Sequence, residues 1–91
     1  MRVVWRAAAR DDRRRIFSYL AEHNPAAAAR LVEALILAAD GLASFPERGR
    51  PSSVPGTREI VAVYPYLLAY EVDRAAGIVR ILRVWHGAQD R

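Results

Sequence analysis

With 91 residues and no cysteine, the chain has no disulfide framework and no thiolate chemistry, and residues 1–91 are the size of one domain with a modest core. Its longest apolar run, Ala34–Ala39, is far short of the roughly 20 residues of a membrane span, and Met1–Arg6 lacks the apolar centre of a signal peptide, so a cytoplasmic setting is expected. All 14 basic residues are Arg, against 10 acids and a net charge of +4, which suits an anionic partner, either nucleic acid or an acidic protein segment. Without Lys, any proton transfer falls to His, Tyr or a carboxylate.

Val3–Trp5 reads as a short strand that joins a later sheet. Ala8–His23 follows as a helix, with Ile16, Tyr19, Leu20 and His23 at i, i+3, i+4 and i+7 expected along one buried stripe. Arg10–Arg15 then lies mostly on the wet side, with Asp11 one turn from Arg14 and Arg15. Asn24 and Pro25 restart the chain as an N-cap and a first helical residue, opening a second helix to about Ala43. Leu31, Leu35, Ala38 and Leu42 form its stripe, with Val32, Ile36 and Ala39 beside them. Gly41 weakens that helix by about 1 kcal/mol relative to Ala. The break between the helices is short enough for an antiparallel hairpin.

Phe45–Gly56 is a loop punctuated by Pro and Gly that carries Arg48 and Arg50. From Arg58 onward come three runs rich in β-branched and aromatic residues, as half-buried strands require. The middle run alternates Tyr64, Tyr66, Leu68, Tyr70 and Val72, a core face, against Pro65, Leu67, Ala69 and Glu71, an open one. Asp73–Gly77 is the turn to the last run. There Ile78, Arg80, Leu82, Val84 and His86 alternate with Val79, Ile81, Arg83 and Trp85, so each face carries an Arg among apolar neighbours. The expected fold is α+β in the order β-α-α-β-β-β, with a helical hairpin on one face of a small, largely antiparallel sheet.

Several of these residues have both a chemical and a structural reading. Arg83 and Trp85 share a strand face, where Arg can meet a phosphate or carboxylate and Trp can stack or grip a partner side chain. Equally, Trp85 can be core and Arg83 can snorkel to an edge. His86 ends its strand beside arginines, as an acid/base group or as a cap to the Gly87 turn. Arg50 and Arg58 flank the entry to the sheet, as target contacts or as solvated loop residues. His23 at a helix end suits the helix dipole. Tyr64, Tyr66 and Tyr70 have the spacing of core residues rather than catalytic ones. No metal-ligand cluster and no Gly-rich phosphate loop is present, so no metal, cofactor or small-molecule ligand is expected.

Taken together, the opening strand, the hairpin with Ile16–Glu22 and Asn24–Ala28, Phe45–Pro51, Pro55–Glu59, Tyr64–Tyr70 and Ile81–Asp90 resemble the RelE/ParE superfamily of toxin–antitoxin toxins, also called plasmid-stabilisation proteins. The resemblance covers essentially the whole chain. It implies a small cytoplasmic toxin neutralised by a cognate antitoxin. RelE-like members cleave mRNA in the ribosomal A site, whereas ParE-like members poison DNA gyrase. RelE-like nucleases usually place an Arg where this chain has Leu67, and a leucine cannot neutralise a pentavalent phosphate. Leu67 and the missing lysines therefore incline the reading to ParE-like binding through Arg50, Arg58, Arg83 and Trp85. The runner-up is a ribosome-dependent endonuclease with Arg58, Arg83 and His86 as its catalytic set. A third reading is a decayed toxin that only binds its antitoxin.

Overall fold

The protein is described by a computed structural model over residues 1–87. In chain order it runs β1 (Arg2–Trp5), α1 (Ala7–Ala21), α2 (Pro25–Gly41), β2 (Arg50–Pro51), β3 (Thr57–Val63), β4 (Tyr66–Asp73) and β5 (Ile78–His86). The strands make one sheet in the order β1-β5-β4-β3-β2, and the helices pack together over β5 and β3. The α+β reading holds, with two additions. First, β1 inserts beside β5 in parallel, Val3 against Val79 and Trp5 against Ile81. Second, the loop before β3 contributes the two-residue strand β2, whose Pro51 keeps that edge short.

Local chemistry explains the joints. Asn24 Oδ1 accepts the Ala27 amide at 3.1 Å and Pro25 opens α2, the cap the sequence calls for. α2 ends at Gly41 rather than running on to Ala43. In the β4–β5 turn, Asp73 Oδ1 accepts the Ala76 amide at 3.0 Å, and Gly77 takes φ +67°, the left-handed region that glycine enters most easily.

The core joins Ala9 of α1, Leu35 and Ala39 of α2, Leu42, Leu68 and Tyr70 of β4, and Val79, Ile81 and Val84 of β5. The expected α1 stripe is displaced. Tyr19 and His23 are exposed and meet edge-on with ring centroids 6.5 Å apart, while Ala9 and Asp12 are the buried positions. Small Ala9 lets the first half of α1 approach the sheet, so the buried row runs Ala9, Asp12, Ile16 at i, i+3 and i+7.

Two expectations for the middle strand are corrected. Tyr64 is not core; it stands 86% exposed in the β3–β4 turn, before β4 begins at Tyr66, so the strand alternation never reaches it. Nor is Leu67 on an open surface. It lies on the face away from the helices but is only 7% exposed, between Val61 of β3 and Trp85 of β5 in the sheet register. Cross-strand apolar neighbours seal it.

A third correction concerns β5. Ala69 pairs with Arg83 but Tyr70 pairs with Ile81, so Leu82 is an extra residue, a β-bulge. The bulge reverses the alternation midway. Val79, Ile81 and then Val84 face the helices, while Leu82, Arg83 and Trp85 fall on the opposite side. The two faces expected from strict alternation are therefore exchanged from Arg83 onward.

Candidate functional site

The arginines are distributed over two corners of the sheet. At the first, β1 stops while β5 continues: the Arg6 amide still reaches the Ile81 carbonyl at 2.9 Å, and beyond that β5 has no strand neighbour on the β1 side. Asp12 on α1 takes over. Its Oδ2 accepts the Val84 amide at 2.9 Å, satisfying a buried donor that would otherwise be left without a partner. The same carboxylate receives Arg83 Nε at 2.7 Å and Arg83 Nη2 at 3.0 Å, a bidentate pair, and Arg15 Nη2 at 2.9 Å. Asp12 is only 6% exposed. Burial pushes its carboxyl up, but the bonds from Arg83 and Val84, the charge of Arg83 and the Arg15 bond outweigh that and hold it below the usual Asp value. The bond to Asp12 raises the Arg83 guanidinium in turn, against the opposing effect of its partial burial.

Arg83 starts on the face away from the helices and wraps the exposed β5 edge to reach Asp12. On the way its guanidinium stacks 4.7 Å from the centre of the Trp85 ring. It thus forms a ridge between two grooves. One, of about 350 Å³, runs between α1 and the end of β5 and is lined by Asp12, Ile16, Tyr19, Tyr66 and His86. The other, about 360 Å³ on the opposite face, is lined by Val54, Glu59, Ala69, Leu82 and Trp85. His86 is exposed and meets Tyr66 edge-on with centroids 5.4 Å apart.

Arg58 occupies the second corner, where the chain from α2 enters β3. Arg58 Nη1 donates to the Gly49 carbonyl at 2.6 Å and reaches the Glu47 carbonyl at 3.4 Å. Tyr70 Oη donates to the Pro46 carbonyl and accepts the Gly49 amide, both at 2.8 Å, which pins the loop from below. Burial raises the Tyr70 hydroxyl above its ordinary value, against the Gly49 bond and the charges of Arg58 and Arg48. A Cβ on Gly49 would lie 2.6 Å from Tyr70 Oη and 2.8 Å from the Glu59 carbonyl, so only glycine fits there. Arg50 sits 3.6 Å from Glu59, and Arg74 pairs with Glu47.

The structure therefore brings Arg83, Trp85 and His86 to one corner and Arg58 to another, while Arg50 pairs with Glu59, which lines the second groove with Trp85. His86 is opposite Tyr66 and Arg58 opposite Tyr70, four residues along β4, or roughly 13 Å at strand spacing. Asp12 was missed, although the signal was legible: it stands at i−4 and i−7 from Ile16 and Tyr19, a lone acid on an apolar helical stripe, facing a strand whose apolar residues are interrupted by Arg80 and Arg83. Among the described residues, no group of three His, Asp or Glu side chains is placed to hold a metal ion, and no helix is long and apolar enough to cross a membrane.

Comparison with known proteins adds a family. The model of the family described as the ParE toxin of the type II toxin–antitoxin system parDE matches residues 3–91. The chain is 42% identical over 87 residues to Toxin RelE2 of Caulobacter vibrioides, covering 96% of each, and 38% identical over 86 residues to Toxin RelE1 of the same organism, covering 91% of this chain and 89% of the relative. Among solved structures, the chromosomal ParDE toxin–antitoxin system of P. aeruginosa superimposes with TM-score 0.83 at 24% identity, over 94% of this chain and 95% of that one. The toxin–antitoxin complex RelBE2 of Mycobacterium tuberculosis superimposes with TM-score 0.72 at 28% identity, over 93% and 95%.

Proposed function

This chain belongs to the ParE toxin family of type II toxin–antitoxin systems, and from that premise we propose that it arrests growth by binding its target rather than by cutting RNA. The observation that carries this reading is the commitment of its arginines. A phosphoryl-transfer site needs cations free to meet charge that develops on the phosphate. Here two N–H groups of Arg83 are held by Asp12 and Arg58 is held by loop carbonyls at the other corner. At the position where RelE-like nucleases usually carry an Arg, Leu67 is sealed between Val61 and Trp85. What remains is a binding surface: a basic ridge flanked by two grooves, with Tyr19 and Val54 exposed beside them. By its resemblance to ParE-like toxins, the target is DNA gyrase in the cytoplasm.

The net charge of +4 supports a second partner, a cognate antitoxin with an acidic segment that covers this surface and silences the toxin. The similar ParDE and RelBE2 assemblies favour that arrangement.

The test is to express the chain without an antitoxin. Target binding of the gyrase kind gives an SOS response and linearised plasmid while transcripts stay intact. Cleaved transcripts in a translating extract, lost in His86→Ala, would overturn the proposal. They would support the second reading, a RelE-like nuclease, which the names of the Caulobacter relatives and the shared groove of Arg83 and His86 favour.

A further inference from the structure

We propose that Asp12 is a positioning residue: it holds Arg83 against Trp85 on the ridge between the two grooves, so that the guanidinium's remaining N–H edge meets a carboxylate of the acidic segment that the toxin binds. The inference rests on the binding reading above and assigns a residue and a contact within it.

Three observations support it. Arg83 gives Nε and Nη2 to Asp12, so the edge that carries Nη1 is turned away from that carboxylate. A bidentate pair fixes the plane of a guanidinium, so the opposite edge points in one direction instead of sampling many. The plane is fixed a second time by the Trp85 ring at 4.7 Å. Nor can Asp12 move to suit a ligand, because it is buried and its Oδ2 also holds the Val84 amide of β5. The guanidinium itself stays partly open to solvent, with the Arg83 side chain 40% exposed.

The partner chemistry follows from the surroundings. Around the ridge, Ile16 and Tyr19 line one groove and Val54, Leu82 and Trp85 the other. A segment that fits carries a carboxylate for Arg83 and apolar side chains to either side of it. A phosphate would leave the apolar side chains of the second groove, Val54, Leu82 and Trp85, uncovered. Preorganisation is what Asp12 contributes: an arginine already ordered loses less rotamer freedom when it forms the contact.

The test uses the full chain and a synthetic peptide rich in Glu and Leu, with a Lys- and Leu-rich peptide as control, titrated at two salt concentrations. Arg83→Gln is expected to weaken binding of the Glu peptide about tenfold, the order of one lost charge contact at an interface. Asp12→Asn, which keeps the shape and can still accept the Val84 amide, is expected to cost a similar factor although Arg83 is present. The double variant should lose no more than either single one. A role confined to stability would lower the melting temperature of Asp12→Asn and leave the folded protein's affinity unchanged, which would overturn the proposal. So would additive losses in the double variant, or an Arg83→Gln protein that binds like wild type. Growth arrest and plasmid linearisation by the unmodified chain report separately on the binding reading.

Discussion

At the Asp12 corner an arginine is fixed by a buried carboxylate, and at the Pro46–Gly49 corner another is fixed by neutral carbonyls over a tyrosine hydroxyl. Both corners tie a helix or loop to the sheet, and both end with a guanidinium at the surface. The costs of disturbing them differ. A carboxylate below the surface has lost its water and depends on its partners, so removing either side leaves a charge or an amide stranded. Carbonyls in a loop near solvent can recover a water for each bond they lose. The two corners thus hold similar side chains with unequal force.

The largest expected effect breaks the first corner. Asp12→Ala removes the acceptor of the Val84 amide and the partner of Arg83 and Arg15 together. A loss of about 2–4 kcal/mol in stability is expected, from a buried amide left without its acceptor and charge-assisted bonds lost to the partly exposed Arg83 and Arg15, read from chemical denaturation. A loss below about 1 kcal/mol, the range of exposed pairs, would mean that Asp12 is held no more firmly than a surface group.

Acid sharpens the same contrast. The folded Asp12 carboxyl lies below its ordinary value, so its stabilisation is complete above the unfolded value of about 3.9 and is lost as pH falls through the lower folded value. Stability should therefore decline more steeply with acid in the wild type than in Asp12→Asn. Asp73 is also lowered, by the Ala76 amide and then by Arg80, and titrates in both proteins, so the difference between the two curves isolates Asp12. Parallel curves would remove Asp12 as the source of acid sensitivity.

How far each corner could be read from the sequence follows from the same physics. The helices, the three long strands and the Asn24–Pro25 cap are local, and period, cap and turn residues report them directly. The pairing of Asp12 with Arg83 spans 71 positions, and its only trace is one acid at helical spacing with the apolar residues of α1. The Leu82 bulge left no trace that a strict alternation could carry, yet it decides that Val84 is core and that Arg83 faces away from the helices. Tyr64 misled because an aromatic residue next to a strand looks like part of it, when Pro65 ends the alternation. Leu67 misled because a face without helices was equated with an open face, although its neighbours in the sheet are Val61 and Trp85. What stayed hidden depends on which side chains meet across strands.

The smaller effects belong to the second corner and rank by burial. Tyr70→Phe keeps the ring in the core but leaves the Gly49 amide and Pro46 carbonyl without their partner, and a loss of about 1–3 kcal/mol is expected. Arg58→Ala removes a guanidinium that is only half-buried and donates to two neutral loop carbonyls, so about 0.5–1.5 kcal/mol is expected. Hydrogen exchange at the Gly49 amide separates the two variants. Tyr70→Phe should speed it strongly, because its acceptor is gone, while Arg58→Ala should leave it nearly unchanged, because the amide still reaches Tyr70 Oη. If Arg58→Ala proved as costly as Asp12→Ala, neutral carbonyls would be holding a guanidinium as firmly as a buried carboxylate does. Burial of charge would then no longer account for the difference between the corners.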